Sequence, residues 1–316
     1  MAPRRRILLS HARPARLAAA AGAGPAYGRS DQPDWRAIDW RSHLRAVTIA
    51  GRRVHLVDIG GGGKRSPVLF VHGLGGRWQS WIETLPRVAT QRRVVAFDLP
   101  GFGRSQLPIE PISIDGYAAV IERLCDLLEL ESVVLVGNSM GGAVATSAAL
   151  RYPDLVGRLV LVSPAAISLA GFNPAPAAAL MAALGRTPLG SPEGVRSLLR
   201  RPRARYLAFA TLVRHPTRIA TDTLTELVGG RGAPGLGAAI EAMIRCELGG
   251  ELASVTQPAL IVHGREDMLV PLSMSAWLTD QIPSAQLEVF DDTGHLPMIE
   301  RPARFNELLL DFAAAA

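Results

Sequence analysis

The chain has 316 residues, of which 48% are hydrophobic and 20% charged, a composition typical of a globular protein rather than a disordered or fibrous one. No run of 18 or more apolar residues is present, so we expect no stable membrane insertion. The formal charge of +6 equals the number of arginines in residues 1–30, a stretch without acidic residues. The rest of the chain is neutral, and we expect no nucleic acid partner.

The arginine- and alanine-rich start predicts a disordered basic tail over residues 1–40. A cleaved targeting segment is the alternative, although Arg13 and Pro14 interrupt the apolar stretch that such a segment needs. Cys125 and Cys246 have no metal-like spacing, which indicates two unpaired thiols in a reducing compartment. We therefore expect a cytoplasmic protein, either a monomer or a homodimer.

A regular alternation of elements begins near residue 46, with two short strands around a turn at Gly51. Short apolar runs typical of strands buried on both faces follow, at 68–71, 94–97, 133–136, 159–162, 260–262 and 287–290. Helix-like segments are predicted at 78–90, 116–129, 139–151, 275–281 and 302–314. This pattern predicts the α/β class, with a mostly parallel central sheet and helices on both faces, formed by residues 41–164 and 256–316.

Residues 165–255 break this alternation, because they contain helix-like stretches and no clear strand. Ninety residues are too many for a simple crossover between two strands. The segment therefore predicts an inserted helical cap over one end of the sheet. Its many alanines and leucines and few acidic residues indicate an apolar substrate pocket, with His215 and the cap arginines at the surface.

The strongest motif is Gly137-Asn-Ser-Met-Gly141, which fits G-x-S-x-G between a strand and a helix. This context is the one that a nucleophile elbow requires, because glycines permit a turn too tight for side chains. The helix N-terminus also favours negative charge beside the serine. Ser139 is therefore the candidate nucleophile.

A serine hydroxyl needs a general base, and His295 follows the last predicted strand. Residues at the carboxyl ends of parallel strands share one edge of the sheet, which places His295 near Ser139. Asp267, after the strand at 260–262, is the candidate acid that orients the histidine. Glu266 is the competing carboxylate, and we expect it to be a solvated neighbour.

An acyl-transfer site also needs an oxyanion hole, for which we expect the backbone N–H groups of Met140 and Leu74. Leu74 belongs to the loop that follows the strand at 68–71, in which His72 is expected to be structural. The candidate substrate-binding residues lie in this loop, after it and beside the nucleophile: Gly73, Gly75, Trp78 and Asn138. Packing of the following helix is the alternative for Trp78. No metal site is predicted.

Together these motifs resemble the α/β-hydrolase superfamily over residues 46–314, in the chain order Ser139, Asp267, His295. The segment Asp98 to Ser105 is similar to the loop that shapes the site edge in that superfamily, which implies structural roles for Asp98 and Arg104. The resemblance implies a serine hydrolase of the esterase or lipase type that needs no cofactor. The members that use an aspartate nucleophile are excluded by Ser139.

Function within the superfamily depends on the site and not on the fold. The main hypothesis is hydrolysis of a small to medium apolar carboxylic ester through an acyl-enzyme. The elbow with Gly142 also resembles that of carbon–carbon bond hydrolases of aromatic ring cleavage, although Leu296 and the loop Leu74-Gly75-Gly76 depart from their pattern. A cofactor-free perhydrolase, an acyltransferase and a non-enzymatic ligand-binding protein remain as further alternatives.

Overall fold

The computed structural model describes residues 24, 26–29, 33–61, 65–165, 192–228 and 233–314. Within them, a sheet of eight strands has the order β1-β2-β4-β3-β5-β6-β7-β8. The strands are β1 (Leu44–Ile49), β2 (Arg52–Ile59), β3 (Val68–Val71), β4 (Val94–Phe97), β5 (Val133–Asn138), β6 (Val156–Val162), β7 (Ala259–Gly264) and β8 (Ala285–Phe290). The pairs β1–β2 and β2–β4 are antiparallel, whereas the other pairs are parallel, as the alternation of elements predicts.

The helices of the described residues are α1 (Trp40–His43), α2 (Leu85–Ala89), α3 (Ile114–Leu128), α4 (Met140–Arg151), α5 (Pro192–Leu199), α6 (Pro202–Phe209), α7 (Thr221–Val228), α8 (Leu236–Ile244), α9 (Leu272–Gln281), α10 (Pro297–Glu300) and α11 (Pro302–Ala314). The single helix predicted over 78–90 is wrong. A 3₁₀ turn, Trp78–Trp81, is followed by the separate helix α2, because Pro86 is tolerated in a first helical turn but not inside a helix.

The apolar core has two layers, one on each face of the sheet. Along β3, Leu69 and Val71 face the layer that contains α3 and α4, whereas Val68 and Phe70 face the layer that contains α2 and α11. The period of two residues in a strand explains why all four are buried. Cys125 and Cys246 are buried, unpaired thiols, as predicted. In the described ranges, no helix is long and apolar enough to cross a membrane.

The expectation for the tail over residues 1–40 needs a correction at its C-terminal end. Tyr27 is only 2% exposed, and Trp35 is buried and donates from Nε1 to Glu83 Oε1 at 2.9 Å. Asp34 caps the 3₁₀ turn Trp35–Ala37. Burial of these large aromatic side chains stabilises the segment against the rest of the fold. The prediction of disorder considered only its arginine-rich composition. The remainder of the predicted tail lies outside the described residues.

The region predicted as a cap contains α5 to α8 and no strand among its described residues, 192–228 and 233–255. Residues 166–191 and 229–232 of the predicted cap lie outside the described part of the chain. Phe209 and Leu224 pack into the layer with α11, and Ala239 and Met243 pack into the layer with α4. These helices therefore contact both core layers near the sheet edge.

Candidate active site

Ser139 lies at the turn between β5 and α4, at the N-terminus of α4. Its φ of 54° and ψ of −120° are a strained backbone conformation for a residue with a side chain. Its N–H donates to the Val162 carbonyl at 2.9 Å, and its own carbonyl accepts from the N–H groups of Gly142 and Ala165. These hydrogen bonds hold the strained turn in place.

The two glycines of the motif are required by close backbone approach. A Cβ atom at Gly137 would lie 2.1 Å from the Gly141 carbonyl oxygen, and one at Gly141 would lie 2.4 Å from the Val71 carbonyl oxygen. Both distances are far below van der Waals contact, so neither position accepts a side chain without moving the backbone. This tight turn places Ser139 at the carboxyl end of the sheet, where it lines a cavity.

His295 and Asp267 form a buried, hydrogen-bonded pair beside this serine. His295 Nδ1 lies 2.7 Å from Asp267 Oδ2, and the two side chains are 4% and 0% exposed. Asp267 Oδ1 accepts from the N–H groups of Leu269 and Val270 at 2.8 and 3.0 Å. An ionised carboxylate only accepts, so His295 Nδ1 carries the proton and Nε2 remains available as a base. His295 and Ser139 line the same cavity.

The surroundings of Asp267 keep it ionised despite its burial. Burial alone raises the pKa of this carboxyl, but the charge and hydrogen bond of His295, the nearby His263 and the Val270 N–H outweigh it and lower the pKa below its usual range. His263 Nε2 lies 3.5 Å from Asp267 Oδ2, and His263 Nδ1 lies 2.7 Å from Ser275 Oγ. Burial lowers the pKa of His263, which therefore stays neutral.

The loops that carry Asp267 and His295 are joined to each other. A Cβ atom at Gly264 would lie 2.0 Å from the Gly294 carbonyl oxygen. The Glu266 N–H donates to the Thr293 carbonyl at 2.9 Å, and the Thr293 N–H donates to Glu266 Oε2 at 2.8 Å. Glu266 is the half-buried neighbour of Asp267, so it is not fully solvated as we expected. Its carboxylate holds the histidine loop instead of contacting the imidazole.

The two predicted oxyanion-hole residues belong to two segments next to the serine. Leu74 follows β3 and lines the cavity, and Met140 begins α4. A Cβ atom at Gly73 would lie 3.0 Å from Ser139 Cβ, so this loop lies directly against the nucleophile. Among the described residues, the backbone N–H groups of Leu74 and Met140 have no acceptor. Leu74 lines the cavity with Ser139, and Met140 follows Ser139 in the chain, so the two N–H groups remain the candidate donors to a substrate oxygen.

His72 holds the loop in this position. Its Nε2 accepts from the Leu99 N–H at 3.0 Å, which leaves the proton on Nδ1 to donate to the Gly73 carbonyl at 2.7 Å. His72 is buried, and burial lowers the pKa of its ring. The side chain therefore bonds to the backbone at both nitrogens, in agreement with the predicted structural role.

Three of the four predicted substrate-binding residues line the cavity, and Trp78 does not. Gly73 and Gly75 form its loop side, and Asn138 lies beside the serine with its Nδ2 donating to the Val162 carbonyl. Trp78 is 6% exposed and packs against Trp40 with ring centroids 5.0 Å apart. The 3₁₀ turn directs its side chain into the core, while its N–H donates to Asp98 Oδ1. The structure therefore places Trp78 in the core, as in the packing alternative, and not among the described residues that line the cavity.

The cavity has a volume of about 140 Å³ and a mainly apolar wall. Sequence reasoning missed the side chains that close it, which come from the predicted cap and from the acid and histidine loops: Phe209, Leu212, Leu227, Met243, Leu269, Val270 and Leu296. Of the described residues that line it, His295 alone is ionisable. The only sequence signal for this wall was the aliphatic composition of residues 165–255.

Elsewhere in the described part of the chain, neither the second cavity nor any cluster of ionisable side chains offers a comparable set of reactive groups. A larger cavity of about 360 Å³ lies between the β1–β2 turn, the loop at 100–113 and α3, and no residue of the Ser139, Asp267 and His295 set lines it. Across the described ranges, no group of three or more His, Cys, Asp or Glu residues could hold a metal ion. Among the described residues, the best candidate for an active site is therefore the group of side chains around Ser139.

A serine on a strained strand–helix turn and a histidine paired with a buried aspartate line one cavity at the carboxyl end of a parallel sheet, which is the arrangement of a hydrolase of the nucleophile-elbow class. A family model for the alpha/beta hydrolase fold matches residues 66–302. The chain belongs to this family.

Individual proteins of known activity agree with the family and add detail. A 2-hydroxymuconate semialdehyde hydrolase from a Pseudomonas species is 34% identical over 289 residues, which are 86% of this chain and 94% of that protein. A solved meta-cleavage product hydrolase from Pseudomonas fluorescens has a TM-score of 0.66 and 28% identity, covering 85% of this chain and 96% of its own. A solved N-acyl homoserine lactone degrading enzyme has a TM-score of 0.64 and 26% identity, with 85% and 100% covered.

Proposed function

We propose that this protein hydrolyses the carbon–carbon bond beside a carbonyl group, an aldehyde or a ketone, in a product of aromatic ring cleavage, with Ser139, His295 and Asp267 as its catalytic residues. The supporting observation is the buried His295–Asp267 pair beside Ser139, in a chain 34% identical over 86% of its length to a 2-hydroxymuconate semialdehyde hydrolase. This function was the alternative in the sequence analysis, where ester hydrolysis was the main hypothesis.

In the proposed mechanism, Ser139 Oγ adds to the carbonyl carbon of the substrate while His295 Nε2 takes the hydroxyl proton. The Leu74 and Met140 N–H groups donate to the oxyanion. The carbon–carbon bond then breaks, the leaving carbon receives the proton from His295, and an acyl group remains on Ser139. Water attacks this ester with His295 again as base. Its hydroxyl enters the acid product, the bond between the acyl carbon and Ser139 Oγ breaks, and the water proton returns through His295 to Ser139.

Ester hydrolysis is the second candidate, and the cavity wall favours it. Among the described lining residues, none besides His295 can be charged, which suits an apolar acyl chain. Leu296 and the loop at 74–76 also depart from the pattern of the carbon–carbon hydrolases. The same residues would act in the same order, with an alcohol in place of the carbon leaving group.

The test compares kcat/KM of the purified protein for 2-hydroxymuconate semialdehyde, followed by loss of its absorbance, with kcat/KM for p-nitrophenyl butyrate. We expect the ring-cleavage product to be preferred by about tenfold or more, and Ser139→Ala to abolish both reactions. If kcat/KM is higher for the ester, the proposal of carbon–carbon bond hydrolysis is wrong and ester hydrolysis is the better-supported function. If neither compound reacts above the Ser139→Ala background, both proposals fail.

A further inference from the structure

Glu300 is a buried carboxylate that the catalytic scheme does not use. It is fully buried at the end of α10, where the apolar residues Met298 and Ile299 precede it. An ionised group in such surroundings needs hydrogen-bond partners for each oxygen, because an unpaired buried charge is strongly destabilising. The positions of its partners therefore indicate what the side chain holds together.

Four donors converge on the Glu300 carboxylate. The Gly294 N–H lies 2.9 Å from both oxygens, and the Leu296 N–H lies 3.2 Å from Oε1. The Arg214 N–H and the Tyr27 hydroxyl donate to Oε2 at 2.8 and 2.6 Å. A carboxylate offers about four lone-pair sites, so this side chain is saturated with donors from three separate segments.

Two of these donors are the backbone groups on either side of His295. Because Gly294 and Leu296 bond to the same carboxylate, the loop between them is pinned at both ends. The His295 N–H itself donates to the Leu212 carbonyl at 2.9 Å. Asp267 orients the imidazole ring, whereas Glu300 fixes the backbone from which that ring projects.

The other two donors connect this loop to more distant parts of the chain. The Tyr27 hydroxyl donates to Glu300 and also accepts from the His215 N–H at 2.8 Å. The Tyr27 and His215 rings pack edge to face, with centroids 5.2 Å apart, and the Gly28 N–H donates to the Glu300 carbonyl. His215 is therefore partly buried and not at the surface as expected. Its Nε2 lies 2.7 Å from Asp292 Oδ1.

We propose that Glu300 is a positioning residue for His295, and that Tyr27 links the N-terminal segment to this function through the same carboxylate. This inference rests on the proposed role of His295 as general base. It does not depend on which carbonyl compound is the substrate. A displacement of about 1 Å in a base can lower a rate by about 100-fold, so a residue that fixes the loop acts on kcat.

The test uses Glu300→Gln, which keeps the size of the side chain but removes one acceptor, and Tyr27→Phe, which removes one donor. The matched control is Glu83→Gln, at another buried carboxylate whose described partners are Trp35 Nε1 and Thr223 Oγ1. Each full-length variant is checked for folding by thermal unfolding. The main readout is the rate constant for covalent labelling of Ser139 by a fluorophosphonate, which needs a working base but no natural substrate.

Two further readouts separate positioning from a loss of stability. These are kcat and KM for whichever substrate the wild type turns over, and the downfield proton resonance of His295 Nδ1–H. For Glu300→Gln we expect labelling and kcat to fall about 10- to 100-fold, KM to change little and the resonance to shift. For Tyr27→Phe we expect a fall of about threefold to tenfold, as for the loss of one hydrogen bond. Glu83→Gln should label at the wild-type rate while folded.

The inference is overturned if folded Glu300→Gln labels at the wild-type rate with an unchanged resonance, or if Glu83→Gln slows labelling as much. If Glu300→Gln does not fold, Tyr27→Phe decides: normal labelling and an unshifted resonance then overturn the proposal. Failure of the proposed function looks different. The wild type would still label at Ser139 with a fluorophosphonate, but it would not consume the ring-cleavage product.

Discussion

The two sides of the cavity are built in different ways. On the sheet-edge side, short loops place Ser139, His295 and Asp267 through hydrogen bonds and close backbone contacts that tolerate almost no change. On the other side, the apolar side chains of Phe209 and Leu227, from α6 and α7, line the cavity. Under the proposed function, we expect the chemical step to depend on the sheet edge and the selection of substrate to depend on the helices.

Ser139→Ala is the substitution with the largest expected effect, because it tests whether the sheet-edge side of the cavity carries the chemical step. We expect kcat to fall by about 10⁴-fold or more, because no other group of the sheet edge replaces the nucleophile. Steady-state turnover of the preferred substrate measures it. The control is Ser147→Ala on the same helix, where the hydroxyl donates to Asp115 and not to the cavity. A Ser139→Ala variant within tenfold of the wild type would refute the assignment.

Asp267→Asn tests whether the aspartate orients the histidine. The amide can donate to the imidazole and so favours the wrong tautomer, with the proton on Nε2. We expect kcat to fall by about 10⁴-fold while the fold persists, as measured by turnover and by circular dichroism. The matching control is Glu266→Gln, which should disturb the Thr293 loop contact but not the tautomer. If Glu266→Gln were the more damaging change, the roles of the two carboxylates would be exchanged.

Glu300 should make the stability of the protein depend on pH. Burial raises the pKa of Glu300 from 4.5 to about 7, although Tyr27 and the N–H groups of Gly294, Arg214 and Leu296 oppose the shift. The folded state therefore binds this proton more tightly than the unfolded state does. The stability that Glu300 contributes is complete below about pH 4.5 and is lost as the pH rises through about 7.

We accordingly expect the free energy of unfolding of the wild type, relative to Glu300→Gln, to fall by about 3 kcal/mol between roughly pH 4.5 and pH 8. Urea unfolding of both proteins across this range measures the difference. His295 and Arg301 also lie in or beside this loop. Both residues are present in the wild type and in the variant, so their contributions to the pH dependence of the free energy of unfolding cancel in the difference. A wild-type curve parallel to that of the variant would show that Glu300 does not titrate in this interval.

The smallest effect is expected on the helical side. Leu227→Ala enlarges the cavity without touching the sheet-edge loops, so it should shift the preference between short and long acyl chains by about tenfold and change labelling of Ser139 little. Initial rates with p-nitrophenyl esters of increasing length measure the shift. Leu207→Ala is the control, because that leucine is 81% exposed. An unchanged preference for acyl-chain length would show that Leu227 does not contribute to the selection of substrate.

The same comparison explains what the sequence could predict. The fold and the candidates Ser139, Asp267 and His295 were readable because each depends on a local feature: an apolar strand, a tight turn and a polar residue at its carboxyl end. The glycines at 137 and 141 are dictated by contacts within a few residues of the motif and with β3. Such short-range requirements leave a pattern in the sequence.

The remaining features depend on packing between distant segments. Trp78 follows the oxyanion loop in sequence, but a 3₁₀ turn sends its side chain into the core. Tyr27 is held by hydrogen bonds to residues about 190 and 270 positions away along the chain. Its local sequence therefore does not show that it is buried. Glu300 offered one overlooked signal, a charged residue directly after the apolar run Leu296 to Ile299. A buried charge in that position needs partners, and those partners surround His295.

The most direct test of the central claim is to locate the covalent adduct after treating the wild type with a fluorophosphonate. Peptide mass spectrometry should find one modified residue, Ser139, and Asp267→Asn should slow the reaction by a large factor because His295 no longer holds the correct tautomer. Modification of a different serine, or a wild type that does not react at all, would contradict the assignment of the chemistry to this edge of the sheet.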